Sequence, residues 1–521
     1  MDSAVASIPT CFKAYDIRGR VPEQLDANLA YRIGWAFARH LRPRRVVLGH
    51  DIRLSSPELA AAVKQGLTGG GAAVLELGLC GTEEVYFAVA HLQADGGIMV
   101  TASHNPADYN GMKLVREQSR PIAADTGLAE IAALAMAARE RPVNVHQAEQ
   151  VRATLPSSVN TSIVTSAGGS DDGGNGSGSG IGDSGSGSGV FPAGEDSSAR
   201  RQSTNAQAPI CAPPPDWREH TTTAYIDHLL SYINPAKLKP LIIIANPGNG
   251  GAGAVVDRLA PHLPCKFIRQ QWEPDGRFPH GVPNPQLPEN QELTAQAVRQ
   301  HGADLGLAWD GDFDRCFFFD HEGNFVEGYY LVGLLAQVVL ARHPGGKIIH
   351  DPRLVWNTIE IVKKAGGVPR LSKTGHALIK EKMRAEDAVY GGEMSAHHYF
   401  RKFFYCDSGM IPWLLIVELL SVSGKTLAQL VADCRRAYPV SGEINSRTPD
   451  PAAAIARVKS WCQNFPGECD DTDGFSFSAN NFRLNIRSSN TEPLLRLNVE
   501  TRGDQALLAN VTQDVLDLIN H

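Results

Sequence analysis

Short apolar runs that stop abruptly at polar, turn-forming loops recur along this chain, with helical patterns between them. Arg45-Val46-Val47-Leu48-Gly49 predicts a strand, Ser56 to Leu67 a helix and Val74-Leu75-Glu76-Leu77 another strand. The rhythm returns at Leu241 to Ala245, followed by a glycine turn and a helical stretch from Ala254 to Leu263, and again at Lys347-Ile348-Ile349-His350. Short strands separated by helices bury their faces in layered α/β sheets, whose rims present the connecting loops. At 521 residues the chain exceeds what one core organises, so several domains are expected. No sequence repeat is evident beyond this rhythm.

The loops carry the chemistry. TASHNPADYNGMK, residues 101–113, follows the apolar run Gly97 to Val100, so a strand ending there delivers Ser103 to a sheet rim. Pro106, Asn110 and Gly111 force turns that can hold its side chain out. His104 and Lys113 add a proton carrier and a positive charge, which suits a hydroxyl that carries phosphate. Such clusters are also common as plain turn formers. A second loop, DLGLAWDGDFDR at 304–315, opens from a strand-like run into Asp310, Asp312 and Asp314, an oxygen-rich point suited to a hard divalent cation such as Mg²⁺. An EF-hand is excluded, because its glycine position holds Arg315 and its bidentate glutamate position holds His321. Arg315 beside the aspartates fits a phosphate. In YGGEMSAHHYF, 390–400, Glu393 and Ser395 alternate and can face sugar hydroxyls together. RSSNTEP, 487–493, lies between the strand-like runs Phe482 to Ile486 and Leu494 to Val499, a hairpin tip whose Arg487, Ser489, Asn490 and Thr491 suit a non-reacting phosphate. NPGNGGAG, 246–253, lacks the Lys-Ser/Thr of a P-loop and reads as a strand-to-helix turn.

These four loops, in this order and with FKAYDIRG at 12–19, resemble the α-D-phosphohexomutase superfamily and, within it, the bacterial phosphomannomutases, some of which also act on glucose phosphates. The resemblance implies an α/β protein of four domains around a central cleft: three related α/β mixed-sheet domains and a smaller C-terminal α+β domain. Their expected bounds are 1–155, 217–322, 323–435 and 436–521, with a Gly/Ser/Pro-rich disordered insertion at 156–216 that departs from the family pattern. It implies that Ser103 carries the phosphoryl group and that Asp310, Asp312 and Asp314 hold Mg²⁺ with it. Arg18, His104 and Lys113 would assist proton transfer and charge balance, and Tyr15 and Arg315 would line the same site. Arg353, His376, Glu393, Ser395 and His397 would contact the sugar or its phosphate; Arg353 stands where some relatives carry lysine. A hexose 1,6-bisphosphate would serve as intermediate and activator. Phosphoglucosamine mutase and a metal-dependent sugar phosphatase are the rival readings; Met394 resembles the mannose/glucose branch rather than the glucosamine one.

Bulk properties agree. A net charge of −7 argues against a nucleic-acid partner, while Arg and Lys at the loops can still make a cleft locally positive for hexose phosphates. Nine cysteines without CxxC pairing, no signal-like N-terminus and no long apolar run point to a cytoplasmic enzyme without a membrane partner. Cys316, beside the metal loop, reads as a packed core residue.

Overall fold

The computed structural model describes residues 9–138, 215–488 and 494–520. The expected insertion at 156–216 falls outside these but for its last two residues. Four sheets follow one another along the chain. The first contains β1 (Ile17–Arg20), β2 (Arg45–His50), β3 (Ala73–Leu79), β4 (Gly96–Val100), β5 (Tyr109–Arg116) and the short β6 (Arg120–Pro121), with β2 parallel to β3 and β4 and β5 antiparallel to β1 and β4. The second contains β7 (Ile242–Asn246), β8 (Lys266–Arg269), β9 (Leu305–Trp309), β10 (Cys316–Phe319) and β11 (Phe325–Val326), in the order β11-β10-β9-β7-β8. The third, β12 (Lys347–His350), β13 (Val368–Leu371), β14 (Tyr390–Gly392), β15 (His398–Phe400) and β16 (Cys406–Asp407), is again mixed. The fourth, β17 (Ile444–Arg447), β18 (Gly467–Asp470), β19 (Phe475–Ala479), β20 (Phe482–Ser488) and β21 (Leu494–Thr501), is wholly antiparallel. Three mixed sheets and an antiparallel fourth are the expected fold class.

The mixed sheets share one plan. Three parallel strands lie side by side because helices cross between them, and the following strands return antiparallel. Every residue of β4 and β9 is buried, as expected of strands covered on both faces. Each of the loops after β4, β9 and β14 therefore leaves from the middle of its sheet, where its position is most firmly held.

Packing divides the molecule unequally. A continuous apolar core joins Val85, Tyr86 and Val89 of the first sheet's helix Thr82–His91, Tyr225 and Leu229 of the helix Trp217–Leu230, Trp309 and Phe313 of the second sheet, and Trp413 and Ile416 of the third sheet's helix Ile411–Ser423. The antiparallel sheet keeps a core of its own around Phe477, Leu484, Leu497 and Val515. It meets the third sheet through polar contacts: Arg483 donates to the carbonyls of Arg353 at 2.8 Å and Pro352 at 2.5 Å, and Glu500 accepts from the Val355 amide at 2.8 Å. Cys316 is buried in β10, packed in the larger core as expected. Among the described residues no single helix is long and apolar enough to cross a membrane.

Candidate active site

Ser103 sits just beyond β4 with φ +50°, a left-handed conformation unusual for a residue with a side chain. The surroundings impose it. The Ser103 amide donates to Thr101 Oγ1 at 2.9 Å, and the Arg53 guanidinium gathers the carbonyls of Ser103, Asn105, Pro106 and Tyr109 at 2.6–2.9 Å. Arg53 is 1% exposed and lies against Asp51, which also accepts from Thr101 Oγ1 at 2.7 Å and Ser56 Oγ at 2.5 Å. Sequence reading missed Asp51 and Arg53, although a short repeat marks them. His50-Asp51-Ile52-Arg53 ends β2, and His350-Asp351-Pro352-Arg353 ends β12. In both, the aspartate accepts from the arginine amide, at 3.0 and 2.9 Å, and the histidine Nδ1 contacts the aspartate carbonyl. The reading that no repeat exists is thus corrected. Four residues are too few to register by eye, and the hydrogen bonds reveal the match.

The metal loop closes on this serine. Ser103 Oγ donates to Asp310 Oδ2 at 2.7 Å and stands 3.0 Å from His104 Nδ1. A Cβ on Gly311 would lie 2.7 Å from the Ser103 carbonyl oxygen, so the absence of a side chain there lets the loops touch. Asp310, Asp312 and Asp314 bring one oxygen each within 4.8 Å of the others. Lys113 donates to Asp312 Oδ2 at 2.7 Å and to Asp314 Oδ2 at 2.5 Å, and Arg315 donates to Asp310 Oδ2 from Nε at 3.0 Å. The remaining oxygens, Asp312 Oδ1 and Asp314 Oδ1, are buried and have no hydrogen-bond partner among the described residues. Three buried carboxylates, two of them with an orphaned oxygen, fit a hard divalent cation.

Charge sets the protonation of these groups. Burial raises the Asp312 carboxyl, but Lys113 and the Thr82 hydroxyl outweigh it and hold the acid well below its usual range. Burial, with Asp312 beside it, pushes Asp314 up to about 6. His104 falls well below the ordinary histidine range through burial first and then through Arg315 and Arg18, which favours its uncharged ring; Arg315 Nη2 lies 2.5 Å from its Nδ1. Arg18 is held by Asp16 at 2.8 Å and donates to Asn105 Oδ1 at 2.6 Å, which brings β1 to the serine loop.

The third sheet supplies the facing wall. A backbone bridge pairs Arg315 with His397, so the metal loop and the loop after β14 lie edge to edge. His397 places Nδ1 3.4 Å from both Ser395 Oγ and Glu393 Oε2, and Nε2 3.8 Å from Asp314 Oδ1. Glu393 accepts from the Tyr399 hydroxyl at 2.6 Å and the Gly375 amide at 3.0 Å. Despite burial, His397 and Arg353 hold its carboxyl below the usual range. Arg353 is buried on Asp351 and reaches Ser395 Oγ at 3.4 Å. His376 lies edge-on to Tyr15, ring centroids 6.3 Å apart, and both its nitrogens lack partners among the described residues. From the fourth sheet, Arg487 reaches Thr374 Oγ1 at 3.2 Å and pairs with Glu443 at 3.5 Å. Glu443 also faces Arg353 at 3.6 Å and Arg496 at 3.5 Å, linking the far arginines; it and Arg496 carry no motif that sequence reading could use. Ser489, Asn490 and Thr491 lie outside the described residues. The other expected site residues are linked to one another by the contacts just described.

Four models of phosphoglucomutase/phosphomannomutase domains match the chain: the alpha/beta/alpha domains I, II and III at residues 9–141, 223–323 and 327–438, and the C-terminal domain at 443–518. The chain belongs to the phosphoglucomutase/phosphomannomutase family. It is 54% identical to a protein of Xanthomonas campestris named phosphohexose mutases, covering 98% of both chains. It is 50% identical to the phosphomannomutase of Salmonella montevideo and 48% identical to that of Escherichia coli K12, covering 98% of this chain and 99% of each relative. A phosphoglucomutase/phosphomannomutase family protein of Burkholderia thailandensis has the same fold, with a TM-score of 0.75 at 26% identity over 98% of this chain and 96% of that one. A phosphomannomutase of Thermus thermophilus shares the fold at 20% identity, with a TM-score of 0.71 over 98% and 99% of the two chains. Family membership makes this chain a phosphohexomutase-type enzyme, an intramolecular phosphotransferase.

Proposed function

We propose that the protein interconverts mannose 1-phosphate and mannose 6-phosphate, and glucose phosphates by the same route, through phosphorylated Ser103 and a hexose 1,6-bisphosphate. The observation that carries this reading is the convergence on Ser103 Oγ of Asp310 at 2.7 Å and His104 Nδ1 at 3.0 Å, with Glu393, Ser395 and His397 of the third sheet bridged to the metal loop. Mg²⁺ held by Asp310, Asp312, Asp314 and the phosphoserine would supply electrostatic stabilisation of the charge that develops on the transferring group. Lys113, Arg18 and Arg315 balance the phosphoryl oxygens. As the sugar oxygen bonds to phosphorus and the bond to Ser103 Oγ breaks, His104 takes the sugar hydroxyl's proton and, from its contact with Oγ, returns it to the serine. The bisphosphate then turns end over end and phosphorylates Ser103 again from its other phosphate.

Two binding orientations require contacts that survive the flip. Glu393 and Ser395 grip the O3 and O4 hydroxyls, while Arg353, His376, His397, Tyr15 and Arg487, with Ser489, Asn490 and Thr491, hold the sugar and the phosphate that is not reacting. None of these contacts needs to read C2, where mannose and glucose differ, so both 1-phosphates are substrates. A phosphatase has little use for such a second phosphate grip. The deciding experiment is a coupled assay with mannose 1-phosphate and glucose 1-phosphate, with and without Mg²⁺ and a trace of hexose 1,6-bisphosphate. Isomerisation stimulated by the bisphosphate is expected; release of inorganic phosphate equal to substrate consumed would overturn the reading.

A further inference from the structure

The helix Thr82–His91 starts against the metal loop, and two adjacent residues make the junction. Gly81 seats Phe313: a Cβ on Gly81 would lie 2.1 Å from the Phe313 ring, which is buried there. Phe313 holds φ +47°, rare for a bulky residue, between Asp312 and Asp314. Thr82, fully buried, grips Asp312 at both ends. Its amide donates to the Asp312 carbonyl at 3.2 Å and its hydroxyl to Asp312 Oδ2 at 2.5 Å. The first amides of a helix have no partner within it, so this N–H is available, and the partial positive charge at that end favours a carboxylate.

The two oxygens of Asp312 are thereby made different. Oδ2 accepts from Thr82 and from Lys113, the latter at 2.7 Å, whereas Oδ1 is buried without a hydrogen-bond partner among the described residues. The two donors are not equivalent either. Lys113 divides its ammonium between Asp312 and Asp314 Oδ2, 2.5 Å away, and ends a flexible stem, so it can follow a carboxylate that turns. Thr82 cannot follow. Its backbone belongs to the first turn of a helix, and its β-branched side chain has few rotamers.

We propose that Thr82 is a positioning residue for the metal site: it fixes the Asp312 carboxylate so that Oδ1, not Oδ2, is left for the cation, and thereby favours Mg²⁺ over Ca²⁺. The proposal rests on the reading of Asp310, Asp312 and Asp314 as cation ligands. Mg²⁺ demands near-ideal octahedral geometry, whereas Ca²⁺ accepts irregular sets of oxygens. A carboxylate released to turn therefore weakens Mg²⁺ more than Ca²⁺. Thr82 lies in the first sheet's helix, 230 positions from Asp312, so the cation site of the second sheet is complete only when the first is docked on it.

Calorimetric titration of the full-length protein with magnesium chloride and with calcium chloride tests this in two variants. Thr82→Ala removes the hydroxyl without placing a methyl against the carboxylate, and Thr82→Ser keeps the hydroxyl. Mg²⁺ affinity should fall by roughly tenfold or more in Thr82→Ala, as when other residues that orient a metal ligand are lost, with Ca²⁺ affinity falling less. Thr82→Ser should keep most of the Mg²⁺ affinity. In the coupled assay, the Mg²⁺ concentration for half-maximal turnover should rise in Thr82→Ala while KM for glucose 1-phosphate at saturating Mg²⁺ stays unchanged. Unchanged Mg²⁺ affinity in Thr82→Ala, an equal fall for both ions, or a Thr82→Ser as weak as Thr82→Ala would overturn the proposal while leaving the cation site standing. No Mg²⁺ binding by the unaltered protein at millimolar concentration would overturn the cation site and the proposal together.

Discussion

At the scale of the residue, the left-handed φ of Ser103 has to be maintained by neighbours, and Arg53 does most of this. Its two terminal nitrogens donate to four loop carbonyls in a fork that no lysine could match. Replacing it by methionine leaves those carbonyls without their donor and removes the cation beside the buried Asp51, which keeps only its hydrogen bonds from Thr101, Ser56 and the backbone amide of residue 53. Arg53→Met should therefore cost on the order of 3–5 kcal/mol in denaturant unfolding. It should also lower kcat by a larger factor than it changes KM, because the serine is misplaced while the sugar wall is intact; an unchanged kcat would show that the loop holds itself. Ser103→Ala should remove the phosphorylatable group and lower turnover by about 10³-fold or more. Protein incubated with radiolabelled hexose bisphosphate should then carry no label, whereas the unaltered protein does.

Between elements, the decisive feature is how closely the loop after β9 approaches the loop after β4. Gly311 permits it: any side chain would strike the Ser103 carbonyl, and backbone cannot yield as a flexible side chain can. Gly311→Ala should fold, since its neighbours in the second sheet are untouched. It should separate the aspartates from Ser103, with weaker Mg²⁺ affinity by titration and lower kcat at saturating metal. Metal affinity equal to that of the unaltered protein would sink this account. The Glu83 carboxyl is the other inter-element lock. It accepts from the Tyr225 hydroxyl and from the Gly409 amide at 2.5 Å, tying the helix Thr82–His91 to the second and third sheets. Burial pushes it up to about 8 even though these hydrogen bonds favour the carboxylate. The folded state thus keeps a proton that the unfolded chain, with an acid near 4.5, releases. Stability from this group is fully present below about 4.5 and declines as pH rises towards 8, by at most about 1.4 kcal/mol per pH unit. Glu83→Gln should flatten the fall in stability between pH 6 and 8, measured by urea unfolding at a series of pH values.

For the whole molecule, one continuous core under three sheets and a separate core under the fourth define what can move. The antiparallel sheet is attached by polar contacts such as Arg483 with the Arg353 carbonyl, and it reaches the cleft through Arg487. A phosphate between Arg487 and the Arg353 side of the cleft would draw this sheet inwards, using binding energy remote from the reacting bond to exclude water. Small-angle scattering should show a smaller radius of gyration with glucose 1,6-bisphosphate than without it. The change should be lost in Arg487→Ala; identical profiles with and without ligand would place the motion elsewhere.

The site loops are legible in the amino-acid order because their chemistry is local: a serine, three alternating aspartates and a glutamate–serine pair each follow an apolar run, and strand ends are set by hydrophobic periodicity. The same locality marks β9 and β12 to the residue, while helix ends such as that after Leu259 drift, since periodicity does not mark where a helix tightens. What the chain order could not contain is which distant atoms meet. Arg53 under the serine loop, Lys113 across two aspartates and Glu443 among three arginines are buried charges whose partners lie far along the chain. Their placement follows from how the sheets pack, because only in the assembled interior does a charge have to find its counterpart.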